Sequence, residues 1–274
     1  MPNKALPIPL CALLFLAQLL PPGTAYCEPA SAGASVKKES PTSLEQAREL
    51  FSGYNKKNNK IDVTIALTEE ILKREPDNVP ALIFLSRAWL TYGYVKAHTK
   101  KDLIRAFENG VSAAKKAKEL EPDNPDAHFF YVANLASLGD TKGLFNSLFM
   151  LPEVRRELET ILDLDPNHAK GLAMTGALYM YLPTILGGDL HISEVYLKRS
   201  LSVNPHLSSA QLYLALDLKK QKKYEEALEV LRDLLNDKEP SFYPDWVENR
   251  RYAYIMMRGI REKMAQETAK KEDN

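Results

Sequence analysis

Proline recurs along this chain in one setting and at a shortening interval. The segments ILKREPDNVPAL (71–82), AKELEPDNPDAH (117–128), ILDLDPNHAKGL (161–172) and SLSVNPHLSSAQL (200–212) share one plan: an apolar helix tail, a proline, an Asn or small polar residue, then a new helix. Proline lacks a backbone donor and stops the helix before it, while Asp77, Asn78, Asp123, Asn124 and Asn167 can cap the helix that follows. The turn prolines are Pro76, Pro122, Pro166 and Pro205, with a fifth candidate at Pro240, and the intervals are 46, 44, 39 and 35 residues. A repeat of this kind leaves little room for any fold other than stacked helix pairs.

The pattern resembles the tetratricopeptide repeat, a helix pair of about 34 residues. The last unit has nearly that length, and the earlier ones carry insertions. Leu214 and Ala215 sit where the first helix of a pair needs a large and then a small residue, and Tyr224, Ala227, Leu228 and Leu231 make the facing stripe. Helices are expected over 43–55, 61–74, 79–93, 101–120, 125–138, 142–163, 167–181, 190–203, 207–221 and 223–236, with a closing helix from about Pro244 to Ala269. The expected fold class is all-α: a tetratricopeptide-like solenoid of helical hairpins over 41–274, with inserted loops and a C-terminal capping helix.

The start of the chain reads as an address. Lys4 precedes the apolar run Leu10 to Leu20, then Pro21-Pro22-Gly23 and small residues around Ala25, the layout of a secretory signal over 1–27. That run is too short to span a bilayer core of about 30 Å as a helix. Cys27 is a candidate lipid anchor, although Thr24 and Tyr26 stand where a lipobox wants a large aliphatic residue and Gly or Ala; a plain cleaved signal is the expectation. Residues 28–40, small and polar, read as a flexible lead-in. The expected location is therefore beyond the cytoplasmic membrane, in the periplasm.

Within the repeats, Lys142-Gly143-Leu144-Phe145 opens a long inserted helix, Asp165-Pro166-Asn167-His168 makes a turn, and Leu182-Pro183 is followed by Leu186-Gly187-Gly188-Asp189. On these features the stretch 128–235 resembles the T-component family of tripartite ATP-independent periplasmic (TRAP) transporters. That resemblance implies an all-helical extracytoplasmic protein, able to assemble with itself and to pair with a periplasmic solute-binding protein, around a hydrophobic ligand in some members. Gly-Gly-Asp turns also occur in the eukaryotic regulator of microtubule dynamics proteins; the signal-like start favours the bacterial family.

Other chemistry is thinly represented. Thirty-six Lys plus Arg balance 36 Asp plus Glu, which offers no global field for a nucleic acid or an anionic membrane. Both cysteines, Cys11 and Cys27, precede the repeats, so no disulfide framework or cysteine-ligated zinc is available there. His98, His128, His168, His191 and His206 form no HExxH-type signature, and no serine lies in a GxSxG context. No catalytic residue, metal or cofactor is expected, and Glu157 and Asp189 would have to converge for carboxylate chemistry. In the 182–189 turn, Gly187 and Gly188 supply the bend and Asp189 the cap of the next helix.

Binding is expected on the inserted parts: Leu144, Phe145, Leu148 and Phe149 at the start of the long helix, and Tyr181, Leu182, Pro183 and Leu186 in the loop. Four large apolar residues within six positions exceed what one helix seam covers. Aromatics at helix ends, among them Trp89, Phe129, Phe130, Phe242, Tyr243 and Trp246, are further candidates, because neighbours such as Phe129 and Phe130 point about 100° apart. The expected function is non-catalytic binding of a protein partner, as an accessory to a solute-binding protein; the alternatives are a general envelope scaffold and a carrier of an apolar ligand.

Overall fold

The computed structural model describes residues 43–272; the expected signal (1–27), Cys27 and the lead-in (28–40) lie outside them. Eleven α-helices and one 3-10 turn, Thr184–Leu186, make up the regular structure of the described residues, with no strand among them. The helices are α1 Leu44–Phe51, α2 Ile61–Arg74, α3 Val79–Val95, α4 Lys100–Leu120, α5 Pro125–Lys142, α6 Leu144–Leu164, α7 Ala169–Tyr181, α8 Leu190–Val203, α9 Ser208–Lys220, α10 Tyr224–Asn236 and α11 Tyr243–Glu272. Successive helices pack as antiparallel hairpins that stack into a solenoid, and α11 covers the last pair.

The proline turns behave as helix chemistry dictates. Glu75, Glu121, Asp165 and Asn204, each directly before a proline, end α2, α4, α6 and α8. In three of the four turns the next helix is then capped by a side chain: Asn78 accepts from the Ala81 amide, Asn124 from the Asp126 and Ala127 amides, and His168 Nδ1 from the Gly171 amide at 2.9 Å, while α9 follows Leu207 without one. Because these even-to-odd turns are alike, differences in helix length emerge at the opposite edge. There α4 and α6 have 21 residues against 14 in α8 and 13 in α10. An excess of seven or eight residues is about 10 to 12 Å of helix.

Register in the middle of the stack is set by one polar layer. A Cβ on Gly110 of α4 would lie 2.0 Å from the Asn134 side-chain oxygen of α5, so only glycine lets the two helices approach there. Asn134 donates to Ser86 Oγ at 3.0 Å, and Ser86 donates to the Gly110 carbonyl at 2.8 Å, which ties α3, α4 and α5 at one level. The core around it runs the length of the solenoid. Phe51, Ile65 and Phe84 fill the first part, Phe107, Val132 and Ile161 the middle, and Leu197, Leu218, Leu231 and Ile260 the last.

Helix α6 divides at Pro152, which cannot donate to the preceding turn. Its buried residues, Leu151, Val154, Glu157, Leu158 and Ile161, begin only at this point. Before Leu151 one face of the helix still rests on α5 through Ser147 and Met150, while Leu144, Phe145, Leu148 and Phe149 face outward.

Candidate functional site

The first helical turn of α11 crosses the inner face of the solenoid and meets its beginning. Phe242 stacks on Phe51 with ring centroids 5.8 Å apart, and the Tyr54 hydroxyl donates to the Asp245 carboxylate. Arg87 of α3 lies under this junction, 3.7 Å from Asp245 and with its guanidinium 4.3 Å from the Phe242 ring centroid and 4.9 Å from that of Phe51. Burial and the neighbouring Asp245 carboxylate raise the Tyr54 phenol well above its ordinary range, so it stays a hydrogen-bond donor. These contacts clasp the two ends of the repeat array.

Beneath the clasp is a cavity of about 90 Å³ between α3, α5, α7, α9 and α11. Its apolar wall includes Phe129, Phe130 and Met174, and its charged groups are Arg87, Lys170 and Asp245. Phe129 and Phe130 diverge, as adjacent helical residues must, yet both are buried and both line it. The Lys170 ammonium sits 5.4 Å and 5.8 Å from the Phe130 and Phe129 ring centroids. Among the described residues it has no hydrogen-bond acceptor. Burial and the Arg87 charge hold its pKa below the ordinary lysine value, against the weaker pull of Asp126 and Asp245. Asp126 is already engaged: its hydrogen bond with His168, 3.3 Å, is the main reason its carboxyl is held low.

The sequence-selected residues fall elsewhere. Leu144, Phe145 and Phe149 are 71%, 87% and 86% exposed, and Leu148 is partly so. Tyr181 is half-buried beneath Lys220, whose ammonium lies 4.8 Å from its ring centroid. Leu182 is buried and lines a second cavity, about 130 Å³, between α6, α7 and α8. Pro183 is exposed, and Leu186 is half-buried with its carbonyl held by Arg155. Gly187 takes a left-handed φ of 83°, a Cβ on Gly188 would lie 1.7 Å from the Leu182 carbonyl oxygen, and Asp189 accepts from the His191 and Ile192 amides. The exposed helix start and the 182–189 turn therefore do not share the cavity with Arg87 and Lys170.

Glu157 and Asp189 are committed to separate tasks. Burial works against ionisation of Glu157, but hydrogen bonds from Lys118 at 2.6 Å and His128 at 2.7 Å outweigh it and keep the carboxyl below its usual range. Among the described residues no group of three or more His, Cys, Asp or Glu is placed to hold a metal ion, and no helix is long and apolar enough to cross a membrane. Arg87, Lys170 and Asp245 were not singled out by sequence pattern. Arg87 and Lys170 do carry a signal: each is a lone cation within an otherwise apolar or small-residue stretch, LIFLSRAWL and AKGLAMTGAL.

Comparison with known proteins supports the helical-repeat fold. A thermophilic tetratricopeptide-repeat protein of Thermus thermophilus is 17% identical, with a TM-score of 0.60 over 77% of this chain and 97% of that one. A MamA protein is 14% identical over 76% of this chain and 92% of its own, TM-score 0.40, and yeast Tom70 is 10% identical over 81% and 47%, TM-score 0.44. No curated protein sequence gives a significant match. A family model, described as regulator of microtubule dynamics protein 1–3, matches residues 43–181, just over half of the chain.

That match decides between the two families sharing the Gly-Gly-Asp turn, and two expectations are corrected by it. None of these similarities is to a TRAP T-component. The secreted, periplasmic location, which was read from the signal-like start, is overturned: the family that the chain matches is not the bacterial envelope family. A periplasmic solute-binding protein loses its basis as a partner in the same way. The similarity over α1 to α7 places this chain in the family of regulator of microtubule dynamics proteins 1–3.

Proposed function

We propose that the protein is a non-catalytic binding module that holds an acidic, apolar-flanked segment of a partner protein in the cavity beneath the clasp. What supports this is Lys170, a half-buried ammonium facing the cavity with no acceptor of its own among the described residues and Arg87 nearby. An incoming carboxylate would relieve the repulsion between the two cations, and its apolar neighbour would rest on Phe129, Phe130 and Met174. Size favours a side chain or chain end over a larger guest, because about 90 Å³ is less than the roughly 150 Å³ of a cavity that takes up benzene.

The test is Lys170→Met, which keeps the length and apolar stem of the side chain. Binding of a fluorescent peptide ending in Leu-Asp or Leu-Glu should fall about tenfold while the fold stays intact, since the substitution removes a half-buried charge that makes no hydrogen bond within the described residues. Unchanged affinity would defeat the proposal. The apolar lining also favours a second reading, in which the same cavity carries a hydrophobic small ligand after the clasp opens. Native mass spectrometry of the freshly purified protein separates the two: a bound apolar molecule selects the carrier.

A further inference from the structure

We infer that the odd-to-even edge of the solenoid docks on an anionic lipid bilayer, with the corner at the start of α6 entering the interface. Antiparallel stacking collects the odd-to-even connections 52–60, 96–99, 143, 182–189 and 221–223 on one edge. These hold six lysines and one acidic residue, Asp189, and the two helix-end residues on either side of each add Lys100, Lys101, Lys142, Lys219 and Lys220 against Asp62 and Glu225. Some of the lysines are engaged: Lys96 pairs with Asp62, Lys142 with Glu108 and Lys223 with Glu194, and Lys220 donates to the Met180 carbonyl. Lys56, Lys57, Lys60, Lys100, Lys101 and Lys222 are exposed.

The same edge carries the most exposed large apolar side chains of the described residues: Ile185, Phe145, Phe149 and Leu144, at 91%, 87%, 86% and 71%. Phe145 and Phe149 lie one turn apart, and Leu144 and Leu148 flank them, on the outward face of α6 before Pro152. The Gly110–Asn134 contact fixes where the nearest cations lie. Ten residues back along α4 is Lys100 and ten forward past Asn134 is Leu144, so Lys100 and Lys101 start α4 at the level where α6 begins. Asp102, Glu108 and Asp140 are also at this corner, on Thr99, Lys142 and Ser147.

Apolar side chains projecting beyond a rim of lysines match the two layers of a bilayer surface, acyl boundary and anionic headgroups. A nucleic acid would use the lysines and leave two phenylalanines in water. A second copy of this chain would bring lysine against lysine. Both are outcomes of the experiment.

Full-length protein is sedimented with phosphatidylcholine vesicles containing or lacking about 30% phosphatidylserine. Binding is expected to need the anionic lipid and to weaken with salt; Phe145→Ser with Phe149→Ser should lower the partition constant tenfold or more, to roughly background, with an unchanged melting temperature. Lys100→Glu with Lys101→Glu should lower it about tenfold on anionic vesicles alone. A Phe149→Trp variant supplies a local readout, separate from any contribution of residues 1–42: its emission should shift to the blue with anionic vesicles. No shift, or equal binding by wild type and both double variants, overturns the inference. So does loss of a concentration-dependent dimer in the phenylalanine variant without loss of vesicle binding, or polyanion binding that needs only the lysines.

Discussion

On the even-to-odd side of the solenoid, the turns 75–78, 121–124, 165–168 and 204–207 have four residues each and a proline at the second position. On the odd-to-even side the connections run from the single residue Gly143 to the nine residues 52–60. The first set is acidic: with the 237–242 connection it holds seven Asp or Glu and one Lys. The second is basic and carries the projecting apolar groups. Capping fixes the uniform side, because each turn must end one helix and satisfy the free amides of the next within four residues. On the other side Thr99 and Asp189 also cap helices, but the connections share no fixed length or plan, which leaves their charge and hydrophobicity free to serve a surface.

Substitutions can break that contrast, and they rank by how far each residue is tied into the stack. Ile161, fully buried against Gly171 beside the 165–168 turn, should give the largest effect: Ile161→Ala is expected to cost about 2 to 5 kcal/mol in urea unfolding. On the basic side, Glu194 is the exception that is structurally tied. Burial opposes its ionisation, but hydrogen bonds from Lys198, Lys223 and Gln221 outweigh that and bring the carboxyl down to about 2. A carboxyl with a lowered folded-state pKa contributes stability above its ordinary value of 4.5 and loses it as pH falls towards 2. Glu194→Gln should therefore cost about 1.5 to 3 kcal/mol at pH 7, and the gap to wild type should narrow when unfolding is repeated near pH 3.

Asn124→Ala removes a cap from the uniform side and should cost about 1 kcal/mol, read as a lowered thermal midpoint. Phe145→Ala should change stability by less than about 0.5 kcal/mol, because the ring is solvated already. A loss of several kcal/mol there would mean that the α6 start is core, and the contrast between the sides would fail.

Most of the fold is legible in the sequence because its determinants are local. Pro76, Pro122, Pro166 and Pro205 mark the turns that the structure contains, and the expected helix limits lie close to those observed. Asn167 was the expected cap in its turn, whereas the ring nitrogen of its neighbour His168 caps α7. What is not local is not legible. Tyr54 and Asp245 are 191 positions apart in the chain and meet only because the repeats curve. Net neutrality misleads for a related reason: charge summed over the chain has no geometry, and antiparallel stacking sorts a balanced composition into a basic side and an acidic side. The cavity cations needed both steps, a lone Arg or Lys in an apolar helix and the knowledge that α3 and α7 turn the same face inward.

The junction of Phe242 and Asp245 with Phe51, Tyr54 and Arg87 changes how such a protein comes apart. An open repeat array behaves as a one-dimensional chain, in which each end unit has a single neighbour and can melt alone. Joining the last unit to the first through these side chains gives each end a second neighbour, so that melting from either terminus must also break the junction. The array then responds as a ring: loosening any one pair strains the junction, and releasing the junction restores two ordinary ends at once. Guest entry, repeat fraying and the reach of α11 are thereby coupled through five side chains.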